Sequence, residues 1–231
     1  MDQLQLDKPT VTYYGRNVDQ MPKLLADGKE PMSIAHLMEQ RLVVRGKEVF
    51  PAQHDAWWLN YFDNADVWLR HPDKGGKVVP YSAQVLDFLR EYVKPDTTLV
   101  DGAVSLPDGL YERMEGLELT SADIERLNSR GYTPREAKKS DTWRALAGKQ
   151  KLLDTYVDAV VSETGRDQDL MNLYFGGASK VPTGRLWYVY SRIIGSNAVG
   201  NYSLTNDNGR LVGVAPEAHV ASVLREARAK K

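Results

Sequence analysis

Cysteine is absent from this 231-residue chain, which excludes disulfides, thiolate nucleophiles, cysteine-ligated zinc and iron–sulfur clusters. Histidine occurs only four times, so a metal site would have to rely on carboxylates as well. No stretch of about 18 consecutive apolar residues is present, as a membrane-spanning helix would require. The 30 Lys and Arg residues are balanced by 31 Asp and Glu, so the net charge of −1 gives no general attraction for polyanions.

The composition is that of a folded globular protein, with 42% hydrophobic and 26% charged residues. A chain of this length buries roughly 70% of the surface that it exposes when unfolded. No repeat, low-complexity stretch or linker divides it, so we expect a single α+β domain over residues 1–231. The amino terminus carries acidic residues where a signal peptide is basic, and it lacks an apolar stretch, so we expect a cytoplasmic protein.

Apolar residues recur with helical spacing through most of residues 33–165, which predicts that this region is mainly helical. Ser33 is a candidate N-cap, and residues 52–70 carry a broad apolar stripe that predicts one long helix. Thr133 and Glu136 have the spacing of a capping box, which predicts the start of another helix. Residues 141–163 are predicted to be mostly helical, with a bend or break at Gly148.

Strand signals are shorter and concentrate in the carboxyl-terminal third. Residues 11–14 and 185–194 have the aromatic and β-branched composition of strands. Residues 43–50 resemble a hairpin, and another hairpin is predicted where residues 201–204 and 210–214 flank Asn208-Gly209. Residues 217–230 predict a terminal helix. The predicted fold is α+β, mainly helical over residues 33–165, with a small antiparallel sheet in the carboxyl-terminal third.

Positive charge is concentrated between residues 126 and 151, which hold eight basic and two acidic residues. Several Lys or Arg side chains on one face can contact nucleic-acid phosphates and release counterions. Two short helices joined near Gly131 also resemble a helix-turn-helix in their spacing. The candidate phosphate ligands are Arg126, Arg130, Arg135, Lys138, Lys139 and Arg144. The alternative is a pair of core-packing helices whose charged faces are solvated.

The predicted helix over residues 52–70 is rich in aromatic residues, with three of the five tryptophans of the chain. Its aromatic rows are wider than most helices bury against one neighbour, so one row is expected to contact a partner or a ligand. The interface candidates are Trp57, Trp58, Tyr61 and Trp68. The alternative is a helix that is buried between two layers.

The same predicted helix is acidic and suggests a weaker hypothesis of metal binding. Asp63 and Asp66 are three residues apart, so on a helix they would share a face and could offer oxygens to a divalent cation. His71 lies at the end of the segment and is the third candidate ligand. An ion pair of Asp66 with Arg70, four residues later, explains that carboxylate without a metal.

No motif in the sequence identifies a reaction. The Gly176-Gly177 segment does not match a phosphate-binding loop, and neither the dinucleotide fingerprint nor the nucleophile elbow is present. We therefore expect a non-catalytic binding or accessory protein without a cofactor, which contacts nucleic-acid phosphates through the basic segment. The alternatives are a metal-assisted hydrolase or transferase that uses the acidic helix, and a protein-interaction or oligomeric structural protein.

Overall fold

Short helices and strands alternate along the chain. The computed structural model describes residues 10–46, 51–177 and 179–216. Its helices are α1 Asn17–Ala26, α2 Ile34–Gly46, α3 Pro51–Trp58, α4 Ala83–Tyr92, α5 Leu110–Arg113, α6 Ser121–Leu127, α7 Pro134–Lys139, α8 Asp141–Ala147 and α9 Gln150–Thr164. Its strands are β1 Val11–Tyr14, β2 Glu30–Pro31, β3 Phe62–His71, β4 Gly75–Val79, β5 Leu99–Val100, β6 Ala103–Ser105, β7 Leu117–Leu119, β8 Leu173–Tyr174, β9 Thr183–Val189, β10 Ala198–Val199 and β11 Arg210–Val214. A short 3-10 helix spans Arg192–Ile194.

The strands form one mixed sheet that draws on the whole described chain, so the prediction of a small carboxyl-terminal sheet is wrong. The main strand order is β1-β11-β3-β9-β10-β8. Strand β3 pairs antiparallel with β9 and β4, whereas β11 joins β3 in parallel. Strands from the first half of the chain therefore pair directly with strands from its last quarter.

Strand β3 corrects the prediction of one helix over residues 52–70. Only α3 is helical there, and residues 62–70 are all buried in the centre of the sheet. A strand that is covered on both faces has apolar residues at successive positions, so its pattern resembles that of a buried helix. A register shift between Asp63 and Val67 in the pairing with β9 further obscures the twofold alternation.

Hydrophobic cores cover both faces of the sheet. Trp68 packs in one core with residues from α2, α3, α8 and α9. Its neighbours Val67 and Leu69 belong to a second core with residues from α1 and α4. Because adjacent residues of a strand point to opposite faces, β3 joins the two cores back to back.

Helix caps are the local features that the sequence predicted correctly. The His36 N–H donates to Ser33 Oγ at 3.1 Å. Thr133 and Glu136 form the predicted capping box. Gly148 has a φ of 70° and separates α8 from α9, as the sequence suggested.

The carboxyl-terminal hairpin around Asn208-Gly209 is also a wrong prediction. Residues 201–204 form no strand, and β11 pairs with β1, β2 and β3 instead. Helix α2 continues to Gly46 where the arm of a hairpin was expected. The rest of that hairpin, residues 47–50, and the terminal helix over residues 217–230 lie outside the described residues. In the part of the chain that the structure describes, no helix is both long and apolar enough to cross a bilayer.

Gly76 is required by close packing between β4 and β3. A Cβ at this position would lie 2.1 Å from Cη2 of Trp68 and 2.8 Å from the carbonyl oxygen of Leu69. We expect Gly76→Ala to lower the free energy of unfolding by about 1–3 kcal/mol, because the strand and the ring must both shift. Urea denaturation measures this loss. Gly177→Ala is the matched control, because a Cβ there meets no atom within 4 Å; equal stability of the two variants would contradict the packing argument.

Candidate functional site

Four tyrosine rings gather at one end of the central strands. The rings of Tyr61 and Tyr202 both stack on Tyr188, with centroids 5.0 and 4.8 Å away. The ring of Tyr190 meets Tyr188 edge-on at 4.7 Å. We call Tyr61, Tyr188, Tyr190, Tyr202 and the adjoining Arg210 the tyrosine face.

Three separate chain segments bring the four tyrosines together. Tyr61 immediately precedes β3, while Tyr188 lies on β9 and Tyr190 directly follows that strand. Tyr188 and Tyr190 are two residues apart in extended chain, so their side chains share one side. Tyr202 lies in the loop after β10. The face thus depends on the pairing of β3 with β9, which a local sequence pattern does not reveal.

Arg210 closes one edge of the tyrosine face with its guanidinium group. The Cζ atom lies 4.4 Å from the centroid of Tyr61 and 5.1 Å from that of Tyr14. Its Nη1 donates to Asn60 Oδ1 at 2.6 Å. Cation–π contacts of this kind contribute about 0.5–2 kcal/mol, depending on how far the site is desolvated. The arginine therefore fixes the orientation of Tyr61.

Asp63 provides a buried carboxylate beneath the tyrosine face. Its Oδ2 accepts the backbone N–H of Arg210 at 2.6 Å. Burial raises the pKa of this carboxyl above its usual range, while that hydrogen bond, the Asn17 side chain and the Arg210 charge act in the opposite direction. Burial, and then the neighbouring tyrosines and Asp63, raise the pKa of Tyr188 far above that of a free phenol. Tyr188 therefore stays neutral at physiological pH.

An open cleft of about 370 Å³ adjoins the face at Tyr190. None of the residues that line this cleft carries a formal charge. They are Tyr174, Tyr190, Ile194, Asn197, Val199 and Asn201. On the adjacent 3-10 helix, the side chains of Ile193 and Ile194 are 62% and 40% exposed. The cleft therefore combines aromatic walls and carboxamide groups with exposed aliphatic surface.

The aromatic interface candidates are divided by the structure. Trp57, Trp58 and Trp68 are fully buried in the core, so they cannot form an exposed surface, and this part of the prediction is wrong. The error follows from the prediction of one long helix, on which the aromatic rows would be too wide to bury against one neighbour. Tyr61 is the one interface candidate in the tyrosine face.

The basic phosphate candidates lie on α6, α7 and α8 and, for Arg130, between α6 and α7. Arg126, Arg130 and Lys139 line a cleft of about 380 Å³. Arg126 pairs with Asp123 at 2.8 Å, and Lys138 pairs with Asp158 at 2.6 Å. The remaining pairs join Arg130 to Glu136 and Arg144 to Asp141. Four of the six candidates, which also include Arg135 and Lys139, are thus individually paired with carboxylates. Phosphate binding by this segment stays a prediction, and the pairing weighs against it.

The candidate metal ligands are not brought together. Asp66 accepts hydrogen bonds from the backbone N–H groups of Ile34 and Tyr81. Asp63 instead accepts one from the backbone N–H of Arg210. His71 Nδ1 accepts N–H groups of the turn that follows β3. Among the described residues, no three His, Asp or Glu side chains lie close enough to hold a metal ion. The helical spacing that suggested this site does not exist in the strand.

Asp66 is expected to make stability depend on pH. Burial raises its pKa to about 6, although two backbone N–H groups limit the rise. The folded state thus favours the neutral carboxyl, so the stabilising contribution is complete below about pH 4 and is lost as the pH rises through 6. This group alone should lower the free energy of unfolding by up to about 3 kcal/mol over that range. Urea titrations of the native chain and of Asp66→Asn should differ in pH slope between 4 and 7; identical slopes would contradict the assignment.

Sequence reasoning missed most of the tyrosine face. The sequence places Tyr188 and Tyr190 in a strand and Tyr202 in a hairpin arm, and none of the three is among the candidate site residues that it yields. The available signal was the density of tyrosine and asparagine near the carboxyl terminus: Tyr188, Tyr190, Asn197, Asn201 and Tyr202 lie within 15 residues. Such residues are enriched in recognition loops.

Comparison with known proteins identifies the architecture. No protein-family model matches the chain, and no curated protein matches it. A solved structure described as "Accommodation of massive sequence variation in Nanoarchaeota by the C-type lectin fold" is similar, with a TM-score of 0.65 and 15% sequence identity. The match covers 90% of this chain and 98% of that one. The chain therefore has a fold similar to that of C-type lectins.

Proposed function

We propose that this protein is a non-catalytic recognition module that binds a protein partner through the tyrosine face and its adjoining uncharged cleft. The observation that carries the proposal is the cluster of four tyrosine rings, of which those of Tyr61, Tyr190 and Tyr202 are partly exposed, beside exposed isoleucines. Tyrosine and arginine are enriched where protein interfaces derive most of their binding energy. A tyrosine ring also offers a large contact area at a small cost in side-chain entropy.

The loop that carries Tyr202 is held by Arg185, which supports a preformed binding surface. The guanidinium Nη1 lies 3.3 Å from the carbonyl oxygens of both Asn201 and Tyr202, and Nη2 donates to Asp101 O at 2.6 Å. A surface that is ordered before binding loses less entropy on association. Because the acceptors are backbone atoms, this support does not depend on which side chains stand at positions 201 and 202.

The similar solved structure is described as accommodating sequence variation, and we extend that idea to this chain. Exposed side chains of the adjoining cleft, such as that of Asn201, should be replaceable with little effect on folding. Surface substitutions away from special features usually change stability by less than about 0.5 kcal/mol. The cytoplasmic location inferred from the amino terminus remains a prediction alongside this proposal.

Selection from a displayed random-peptide library tests the proposal. The immobilised native chain should enrich peptides that do not bind a Tyr190→Ala/Tyr202→Ala variant. Tyr92→Ala, on α4 and outside the tyrosine face, is the matched control and should retain these peptides. Enrichment of peptides that bind all three forms equally, or of none, would contradict the proposal.

A further inference from the structure

Arg41 is a fully buried cation in α2 that bonds three backbone carbonyl oxygens. Its Nε donates to Trp57 O at 2.9 Å, at the end of α3. Its Nη2 donates to Asn60 O at 3.0 Å and to Tyr190 O at 3.1 Å. One nitrogen therefore ties the segment before β3 to the segment after β9, and these are the segments that carry Tyr61 and Tyr190.

The other guanidinium nitrogen of Arg41 bonds two hydroxyl groups. Nη1 donates to Tyr156 Oη at 2.7 Å and to Ser196 Oγ at 3.0 Å. These two hydroxyl oxygens are also 2.6 Å apart, so the three groups form a closed hydrogen-bonded set. Ser196 has a φ of 57° and directly precedes Asn197, which lines the cleft. The set thus fixes a strained backbone position beside the proposed binding surface.

The five oxygens that accept from Arg41 belong to carbonyl and hydroxyl groups. Arg41 is therefore satisfied by hydrogen bonds to neutral groups and not by an ion pair with them. Burying a charge is costly unless its hydrogen-bonding capacity is met. The planar guanidinium has five N–H donors in a fixed fork, whereas a lysine ammonium has three on a flexible chain. Lysine therefore cannot replace the arginine bond for bond.

From these contacts we infer that Arg41 is the positioning residue of the tyrosine face, holding the segments at residues 59–61 and 190–196 in their binding arrangement from beneath. The role of Arg41 in recognition rests on the proposed function, whereas its positioning of the two segments can be measured without a ligand. Arg41 reaches the tyrosine face through the backbone carbonyl oxygen of Tyr190, so it acts through the residues that it orients.

Amide hydrogen exchange provides the first readout. The Tyr190 N–H bonds Asn197 O at 2.9 Å, and the Ser196 N–H bonds Ser191 O at 3.1 Å. Arg41→Met should speed exchange at these two amides by about tenfold or more, relative to amides of the β3–β4 ladder in the same variant. Leu89→Ala, a fully buried substitution in the other core, is the control for general destabilisation. Exchange should be compared under conditions in which circular dichroism shows each variant to be folded.

Milder variants keep the test decisive if Arg41→Met does not fold. Arg41→Lys should give the same local pattern with a smaller amplitude, and Ser196→Ala, which removes one acceptor, should speed exchange chiefly at residues 190–197. Equal acceleration at all amides in these variants, as in Leu89→Ala, would overturn the inference.

Binding of a selected peptide is the second readout. We expect Arg41→Lys to weaken binding by about tenfold, whereas Leu89→Ala leaves the affinity unchanged while the protein is folded. If exchange is accelerated locally in the Arg41 variants but no peptide can be selected, the proposed function is refuted and the positioning role stands. Peptide binding that is unaffected by Arg41→Lys would refute the role of Arg41 in recognition.

Discussion

Replacement of Trp68 by alanine should lower the free energy of unfolding by about 3–5 kcal/mol. The side chain is 1% exposed and lies on the central strand β3. Its ring packs 4.9 Å from that of Phe175 and 6.0 Å from that of Trp187. Removing it leaves a cavity that surrounding strands cannot fill, because three sides of the ring are bounded by Gly76, Gly176 and Gly200.

Urea denaturation followed by circular dichroism measures the cost of Trp68→Ala. Leu59→Ala is the control, because this side chain is 36% exposed and its loss leaves no internal cavity. A loss for Trp68→Ala below about 1 kcal/mol would show that the ring is not part of a tightly packed core.

The Tyr190→Ala/Tyr202→Ala variant is expected to have the largest effect on binding. Truncating hot-spot residues commonly costs about 2 kcal/mol or more each, so the pair should raise the Kd of a selected peptide by about a thousandfold. The effect should lie mainly in the dissociation rate, as for most interface substitutions. Surface plasmon resonance would measure it, and a change smaller than about threefold would remove both tyrosines from the site.

The ends of some helices could be predicted from the sequence, because they depend on hydrogen bonds and backbone conformations of neighbouring residues. The caps at Ser33 and Thr133 and the break at Gly148 depend on a few neighbouring residues, and all three were predicted correctly. The central sheet was not readable, because β3 is buried on both faces and its spacing imitates a helix. Because of that one error, the sequence analysis placed Trp57, Trp58 and Trp68 at an exposed interface, whereas they lie in the core.

The proposed binding surface could not be predicted for a different reason. It is assembled from residues as far apart as Tyr61 and Arg210, which meet only through the pairing of β3 with β9 and β11. The basic segment, by contrast, is contiguous in sequence and therefore attracted attention first. Four of its six candidate residues form ion pairs, such as that of Arg126 with Asp123, which the sequence spacing allowed but did not establish.

The location of peptide binding tests the central claim most directly. Backbone chemical shifts of the ¹⁵N-labelled native chain should be followed while a selected peptide is added. We predict the largest changes at Tyr61, Tyr190, Asn201 and Tyr202, with the β4–β7 ladder unchanged. Changes centred on the cleft around Arg126 and Arg130, with the tyrosine resonances unmoved, would contradict the account.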